Sequence, residues 1–341
     1  MSRADDLKFM RLALCGAERG AGHTSPNPTV GAVIVKAGRV LASGLHRRAG
    51  APHAEVAAIR ALKNSAAAKG ATIYVTLEPC CTQGRTPPCT DAIIAADFRR
   101  VVFGATDPNP AHAGRAVRIL EKAGIEVTHG ILAEECAAVN APFNKWVTTG
   151  MPLVIAKAGL SLDGRLTRPP GEDRWLTSPR SRADAMRLRA QVDAILIGAG
   201  TLRGDDPQLT IRGVRGFAKK QPLRVVLTRS GRLPKSARVF TDEHRERTLV
   251  YRGKSLRIVL RDLAQRGCTS VMIEGGGELL GSAFDARLVD RVHFYIAPLL
   301  CGGPDVIGGL GVASTAGSIA LSGVVYKKIG PDVRITGDVM R

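Results

Sequence analysis

Residues 71–97, ATIYVTLEPCCTQGRTPPCTDAIIAAD, decide how the first half of the chain is read. Their opening, ATIYVTLE, is rich in β-branched and aromatic residues and reads as a strand. Their end, TDAIIAAD, reads as a helix over 90–97 that Thr90 or Asp91 can cap. Between the two, a polar, basic, proline-rich turn carries Cys80, Cys81 and Cys89, three of the chain's seven cysteines. A strand that passes through such a loop into a helix is a building unit of a layered α/β domain.

The flanks repeat that alternation. Residues 5–20 read as an amphipathic helix, and VGAVIVKAGRVLASGLH (30–46) as two strands joined by a tight turn at Ala37-Gly38-Arg39. HAEVAAIRALKNSAAAKG (53–70) is alanine-rich and reads as one helix stopped by Gly70. RRVVFGA (99–105) is a further strand, and residues 114–130 continue as helix and then strand. After the polar stretch NKWVTTG the pattern restarts at MPLVIAKAGLSLDGRL (151–166). Further strands are expected at DAILIGA, LRVVLT, RTLVY, TSVMIEG and RVHFYIAPLL. With 341 residues, two α/β domains are expected, at 1–146 and 150–341, with a boundary near 145–150.

Composition narrows the class. No run of eighteen apolar residues occurs, so no transmembrane helix is expected. The N-terminal stretch alternates charged and apolar residues and lacks the apolar core of a signal peptide, which predicts a cytoplasmic protein with reduced thiols. Seven unevenly spread cysteines do not make a disulfide framework. The net charge is +19, with 18 Lys/Arg against 12 Asp/Glu in residues 1–146 and 31 against 18 in 147–341. The basic residues lack the interleaved aromatics of a base-stacking surface. Phosphate-bearing small ligands therefore suit the charge better than nucleic acid, and no nucleic-acid or membrane partner is expected.

The cysteines acquire a meaning from His53 and Glu55 upstream. His53 follows Pro52 at a helix start, Cys80 follows Pro79 where a strand is expected to meet a helix, and Cys89 directly precedes the 90–97 helix. Helix N-termini favour thiolates. One nitrogen and two sulfurs leave a fourth tetrahedral position open, as a catalytic zinc site does. Glu55 would then take a proton from a zinc-activated water and hand it to a leaving amine. Zinc nucleobase deaminases show the same order, His-x-Glu, Pro-Cys, then a later Cys. Here the last cysteine follows after eight intervening residues, so the loop must take a different shape. Each residue alone has an ordinary structural reading; their order together favours the metal site. Cys81 is expected to be a bystander. In the second half, the glycines of TSVMIEGGGELLGSAF (269–284) lie between a strand and a helix. They do not fit G-x-G-x-x-G, and alone they read equally as a phosphate loop or a tight turn.

TSPNPTVG, GLHRRAGAPHAEVAA, YVTLEPC, GRTPPC and ATDPNP, in this order, resemble the bifunctional deaminase/reductase family of riboflavin biosynthesis. KAGLSLDGR, the long segment 174–212, IEGGGELLGSAF and YIAPLLCGG resemble the reductase half of the same family. The resemblance implies a cytidine-deaminase-like N-terminal domain and a dihydrofolate-reductase-like C-terminal domain. It implies deamination of a diamino-hydroxy-phosphoribosylamino-pyrimidine, then NADPH-dependent reduction of the ribose to a ribityl chain. Zinc would be held by His53, Cys80 and Cys89, with Glu55 catalytic. Asn27, His46, Arg85, Asp107 and Asn109 would touch the deaminase substrate. NADPH would lie against Gly159, Trp175, Thr201, Asp205, Arg229, Gly276 and Gly277. The reductase substrate would meet Lys157, Asp173, Arg189, Leu209, Arg212 and Glu274. Lys157, Asp205 and Asp206 are open candidates for protonating the sugar oxygen. The resemblance is also compatible with a homo-oligomer.

Three positions depart from the family pattern. Thr82 stands where a phosphate-contacting histidine is expected, Asp173 where serine is common, and Thr228-Arg229 where an Asp-Ser pair is common. A nucleic-acid base deaminase, or a chain with one inactive half, are the competing readings.

Overall fold

A computed structural model describes residues 2–83, 87–166, 175–217 and 220–340. The chain divides into two compact units, Met1–Gly150 and Met151–Arg341.

The first unit runs α1 (Arg3–Glu18), β1 (Gly31–Lys36), β2 (Arg39–Leu45), α2 (Ala54–Arg60), β3 (Thr72–Leu77), α3 (Cys89–Ala95), β4 (Arg100–Ala105), α4 (Arg115–Lys122), β5 (Glu126–His129), α5 (Ala133–Val139) and α6 (Ala141–Thr149). Its sheet has the order β2-β1-β3-β4-β5. The β1–β2 hairpin is antiparallel, and β3, β4 and β5 are parallel. The hairpin closes through Ala37 and Gly38, both at positive φ, as a two-residue turn of this hand requires. Strand β3 is buried along its whole length, which explains its lack of polar alternation. Ser2 and Asp5 form a capping box on α1.

Three local expectations are corrected. The 53–70 segment is not one helix: α2 stops at Arg60, and Asn64 caps a separate 3-10 turn, Ser65–Ala68, by accepting the Ala66 amide at 3.0 Å. Asn and Asp side chains compete for backbone donors in this way. Neither Thr90 nor Asp91 caps α3; both lie within it, and Pro88 is the cap residue. Cys80 does not begin a helix, because α3 starts only at Cys89. Helix α6 runs through the polar stretch NKWVTTG and ends on Gly150 in the left-handed region.

The second unit runs β6 (Leu153–Ser161), α7 (Pro179–Gln191), β7 (Ala194–Gly198), α8 (Ala199–Asp205), β8 (Leu223–Thr228), α9 (Arg238–Thr241), β9 (Thr248–Arg252), α10 (Leu256–Gln265), β10 (Ser270–Ile273), α11 (Gly277–Asp285), β11 (Arg291–Ala297), β12 (Leu321–Ile329) and β13 (Asp332–Val339). Its eight-stranded sheet has the order β12-β13-β11-β6-β10-β7-β8-β9. From β11 to β9 all neighbours are parallel; the hairpin β12–β13 adds on antiparallel at β11. The sequence reading contains no counterpart of that hairpin. The inner strands carry two apolar clusters, one around Val154, Leu196 and Val271 and one around Ile155, Ile195 and Met272. A core on each face is the arrangement of a parallel sheet.

Candidate active sites

In the first unit the backbone delivers three metal donors to one point. His53 is the N-cap residue of α2, Cys89 is the first residue of α3, and Cys80 lies on the loop leaving β3. Their ligand atoms all lie within 4.8 Å of one another. His53 Nδ1 is 3.4 Å from Cys80 Sγ and 3.3 Å from Cys89 Sγ. Zinc bonds of about 2.0–2.3 Å at tetrahedral angles give ligand–ligand edges of about 3.5 Å, so the set fits the ion before it arrives. Cys81 offers no donor to this group. None of the seven cysteines is in a disulfide.

The electrostatics separate the two sulfurs. The Cys89 thiol, the Cys89 amide and His53 all hydrogen-bond to Cys80 and bring its thiol down to about 4, against desolvation. Cys89 is pushed far up, first by its bond to Cys80 and then by burial. Metal binding would hold both as thiolates and release the proton. Glu55, in the first turn of α2, is buried. Burial, and next the charge of Cys80, raises its carboxyl to about 7.

Four of the five residues expected to touch the deaminase substrate are described. His46 is buried, which lowers its pKa and keeps the ring neutral. Its Nδ1 lies 3.1 Å from the Pro52 carbonyl, which can only accept, so Nδ1 donates; Nε2 then accepts from Asn27 Nδ2 at 3.2 Å. Both ring nitrogens are thus engaged, and the ring meets His53 edge-on at 5.3 Å. His46 braces the metal ligand. Asp107 is buried, which raises its pKa, and it accepts the Asn109 amide at 2.9 Å; Asn109 accepts the Ala111 amide at 3.0 Å. Arg85 lies outside the described residues. The sequence reading passed over Glu78, whose buried carboxylate accepts the amides of Asp107, Gly114 and Ala116 at 3.2, 3.0 and 3.1 Å. An acid placed at the end of a wholly buried strand was the available signal.

In the second unit one cleft of about 1970 Å³ is lined by Lys157, Gly159, Trp175, Arg189, Thr201, Asp205, Leu209, Arg212, Arg229, Glu274, Gly276 and Gly277. The described residues expected to meet the cofactor or the reductase substrate therefore line one space, whereas Asp206 is not among its lining residues; Asp173 lies outside the described residues. Thr201, Arg229 and Glu274 each follow the carboxyl end of a parallel strand, where open α/β sheets bind ligands. Trp175 is a rim residue, 39% exposed, with the Arg182 guanidinium 5.1 Å from its ring centre.

Two features of this cleft add to the sequence reading. Arg189 is paired within the protein. It is buried and makes a two-pronged bond to Glu274 at 2.7 and 2.8 Å, while a third donor meets the Thr210 carbonyl at 3.1 Å. A buried carboxylate needs such a partner. Lys157 Nζ adds a contact to Glu274 at 3.6 Å. Although burial opposes it, Arg189 and Lys157 hold the Glu274 carboxyl down at about 2. The glycine run also divides its duties. The Gly276 amide donates to Thr201 Oγ1 at 3.0 Å, but Gly277 and Gly281 are required by packing. A Cβ on either would strike the backbone of Asp305 or Gly308.

Fold and sites together define a two-unit enzyme, a zinc-dependent deaminase joined to an α/β pyrimidine reductase. Residues 152–335 match the RibD C-terminal domain, and residues 3–105 match the cytidine and deoxycytidylate deaminase zinc-binding region. The chain belongs to the RibD family of riboflavin biosynthesis proteins. It is 39% identical to riboflavin biosynthesis protein RibD of Aquifex aeolicus, over 98% of this chain and 99% of the other. It is 40% identical to the Escherichia coli RibD over 96% and 98% of the two chains. The structure of Acinetobacter baumannii RibD is similar with a TM-score of 0.92 at 36% identity, covering 100% of both chains. A Thermotoga maritima diaminohydroxyphosphoribosylaminopyrimidine deaminase/5-amino-6-(5-phosphoribosylamino)uracil reductase gives 0.90 at 34%, covering 99% of each.

Proposed function

We propose that the first unit hydrolytically deaminates diaminohydroxyphosphoribosylaminopyrimidine and that the second reduces 5-amino-6-(5-phosphoribosylamino)uracil with NADPH. The observation that carries this reading is the convergence of His53, Cys80 and Cys89, with buried Glu55 beside them, in a chain related over its full length to proteins so named. Bound zinc supplies Lewis acidity and an activated water. Glu55 accepts a proton on its carboxylate and returns it to the departing amine. His46, held by Asn27 and the Pro52 carbonyl, fixes the His53 ring.

The reductase cleft exceeds the roughly 300–1,000 Å³ of a site for one small ligand, which suits a cofactor and substrate side by side. Bound NADPH supplies the hydride. Of the three candidates for protonating the sugar oxygen, Asp206 is engaged by the amide and guanidinium of Arg238 at 2.8 and 3.0 Å. Lys157 faces the cleft beside Glu274 and is the donor in this reading. Glu274 orients Lys157 and Arg189 together. No helix among the described residues is long and apolar enough to cross a membrane, and the reading places the activity in the cytoplasm.

The test follows ammonia release and NADPH consumption together on the zinc-loaded protein, with Glu55→Gln as control. Ammonia followed by NADPH loss is expected. The variant should keep its zinc and lose about a hundredfold or more in deamination rate. Ammonia without NADPH loss would reduce the reading to one active half. Zinc-loaded protein that releases no ammonia would overturn its deaminase part.

A further inference from the structure

We infer that Asp163 is a positioning residue of the reductase: it latches the segment 301–310 onto the start of α11 and so sets the affinity for NADPH. The inference rests on the reductase reading above, which gives neither Asp163 of KAGLSLDGR nor Cys301-Gly302 of YIAPLLCGG a task. The structure joins these two stretches. The Asp163 carboxylate accepts the Cys301 amide at 3.1 Å and the Gly302 amide at 2.7 Å, and it accepts the Ser161 hydroxyl as well. Ser161 first, and then the Gly302 amide, hold this carboxyl down at about 2, so it is an anion at neutral pH. Around it the Leu162 amide donates to the Leu299 carbonyl at 2.7 Å, the Leu166 amide to the Pro304 carbonyl at 3.3 Å and the Val306 amide to the Gly164 carbonyl at 2.9 Å. Arg165 adds an ion pair with Asp305.

The latched segment lies against the glycine loop of the cleft. Leu166, Pro304, Gly276 and Gly277 all line that cleft. The Gly308 amide donates to the Gly277 carbonyl at 3.0 Å, and the Leu310 amide donates to Asp285, the last residue of α11, at 3.0 Å. The segment therefore runs along α11 from its first residue to its last, and the missing Cβ atoms of Gly277 and Gly281 let the two backbones touch. Burial does little to keep it there. Between 301 and 310 only Cys301 and Val306 are half-buried, and every other residue is exposed. A segment without buried apolar anchors opens at a small cost in free energy, so the polar bonds that pin it decide how often it is closed. Asp163 supplies the pins at one end, and bonds to a full charge are stronger than neutral ones. A ligand that needs the closed arrangement binds with an affinity reduced by the fraction of molecules that are closed.

The experiment compares the full chain with its Asp163→Ala and Asp163→Asn variants. NADPH binding is titrated through the fluorescence of the nucleotide, KM is read for NADPH and for the uracil substrate, and a protease of broad specificity probes residues 301–310. Asp163→Ala should raise Kd and KM for NADPH about tenfold, from the loss of hydrogen bonds to a charged group. Its KM for the uracil substrate should stay within about twofold of wild type. Cleavage within 301–310 should quicken about tenfold in this variant, and NADPH should slow it in the wild type. Asp163→Asn keeps an acceptor and loses the charge, so it should fall between the two. Unchanged NADPH affinity in Asp163→Ala, or an equal rise in both KM values, would overturn the inference while leaving the reductase reading intact. Should the alanine variant fail to fold, unchanged affinity in Asp163→Asn would overturn it equally. A wild type that binds no NADPH would overturn both.

Discussion

At the scale of single residues, Glu274 shows how a buried charge is made tolerable and what that implies for stability. Its carboxyl is held at about 2, against 4.5 for the free group, because Arg189 and Lys157 face it. A depressed carboxyl stabilises the fold above its unfolded value of 4.5, and that stabilisation is lost as the pH falls through about 2. The shift corresponds to about 3 kcal/mol. Glu274→Gln should therefore lower the Tm strongly at pH 7, because it leaves Arg189 buried without its anion. The deficit relative to wild type should narrow as both proteins are taken from pH 5 toward pH 2. Thermal unfolding across that range checks it; a deficit independent of pH would show that the pairing does not carry the stability. The sequence indicates which residue types meet here, since Arg189 and Glu274 both stand out by resemblance, but not which of them would be consumed by the other. That outcome depends on burial, which arises only when α7 and β10 pack. The metal ligands were legible for the opposite reason. His, Cys and Cys beside proline and helix starts form a pattern that local chain geometry largely enforces.

At the scale of elements, the zinc site depends on how closely α2 lies on the hairpin. Gly44 on β2 sits beneath that helix, and a Cβ there would meet the Ala54 carbonyl oxygen and the Ala58 amide nitrogen. These are backbone atoms and have no rotamer with which to yield. Gly44→Ala should displace α2, and with it His53 and Glu55. Overpacking of this kind costs about 1–3 kcal/mol. The displacement should also weaken zinc affinity, by about tenfold or more, as loss of a ligand's support does. Competition with a chromophoric chelator reads the affinity, and unaltered zinc binding in a folded variant would refute the argument. Elements with a strong hydrophobic period or full burial, such as β3, β7 and β8, were legible from sequence. The break after Arg60 and the hairpin β12–β13 were not. The break is decided by Asn64 competing for an amide. In the hairpin, β12 exposes most of its length, so its sequence lacks the alternation that marks a half-buried strand.

At the scale of the whole molecule, each unit satisfies its own burial needs. The apolar cluster of the first, from Phe9 to Cys136, lies wholly within Met1–Gly150. The two clusters of the second lie wholly within Met151–Arg341. Each sheet likewise takes its strands from one unit only. Helix α6 ends on Gly150 at φ 67, a natural terminus after which the chain starts afresh in β6. Each half is of ordinary domain size, large enough to bury a core without help. Residues 1–150 and 151–341, produced separately, should therefore each fold cooperatively. The first should retain zinc and release ammonia, the second should oxidise NADPH with the deaminated product, and a mixture should carry out both steps in sequence. Circular dichroism melts of the fragments, with the two assays run separately and together, decide the matter. If one fragment is molten or inactive while the intact chain is competent, that half depends on its neighbour for more than delivery of substrate. If both retain activity and only the rate of the combined sequence falls, joining them serves to keep the intermediate near its second site.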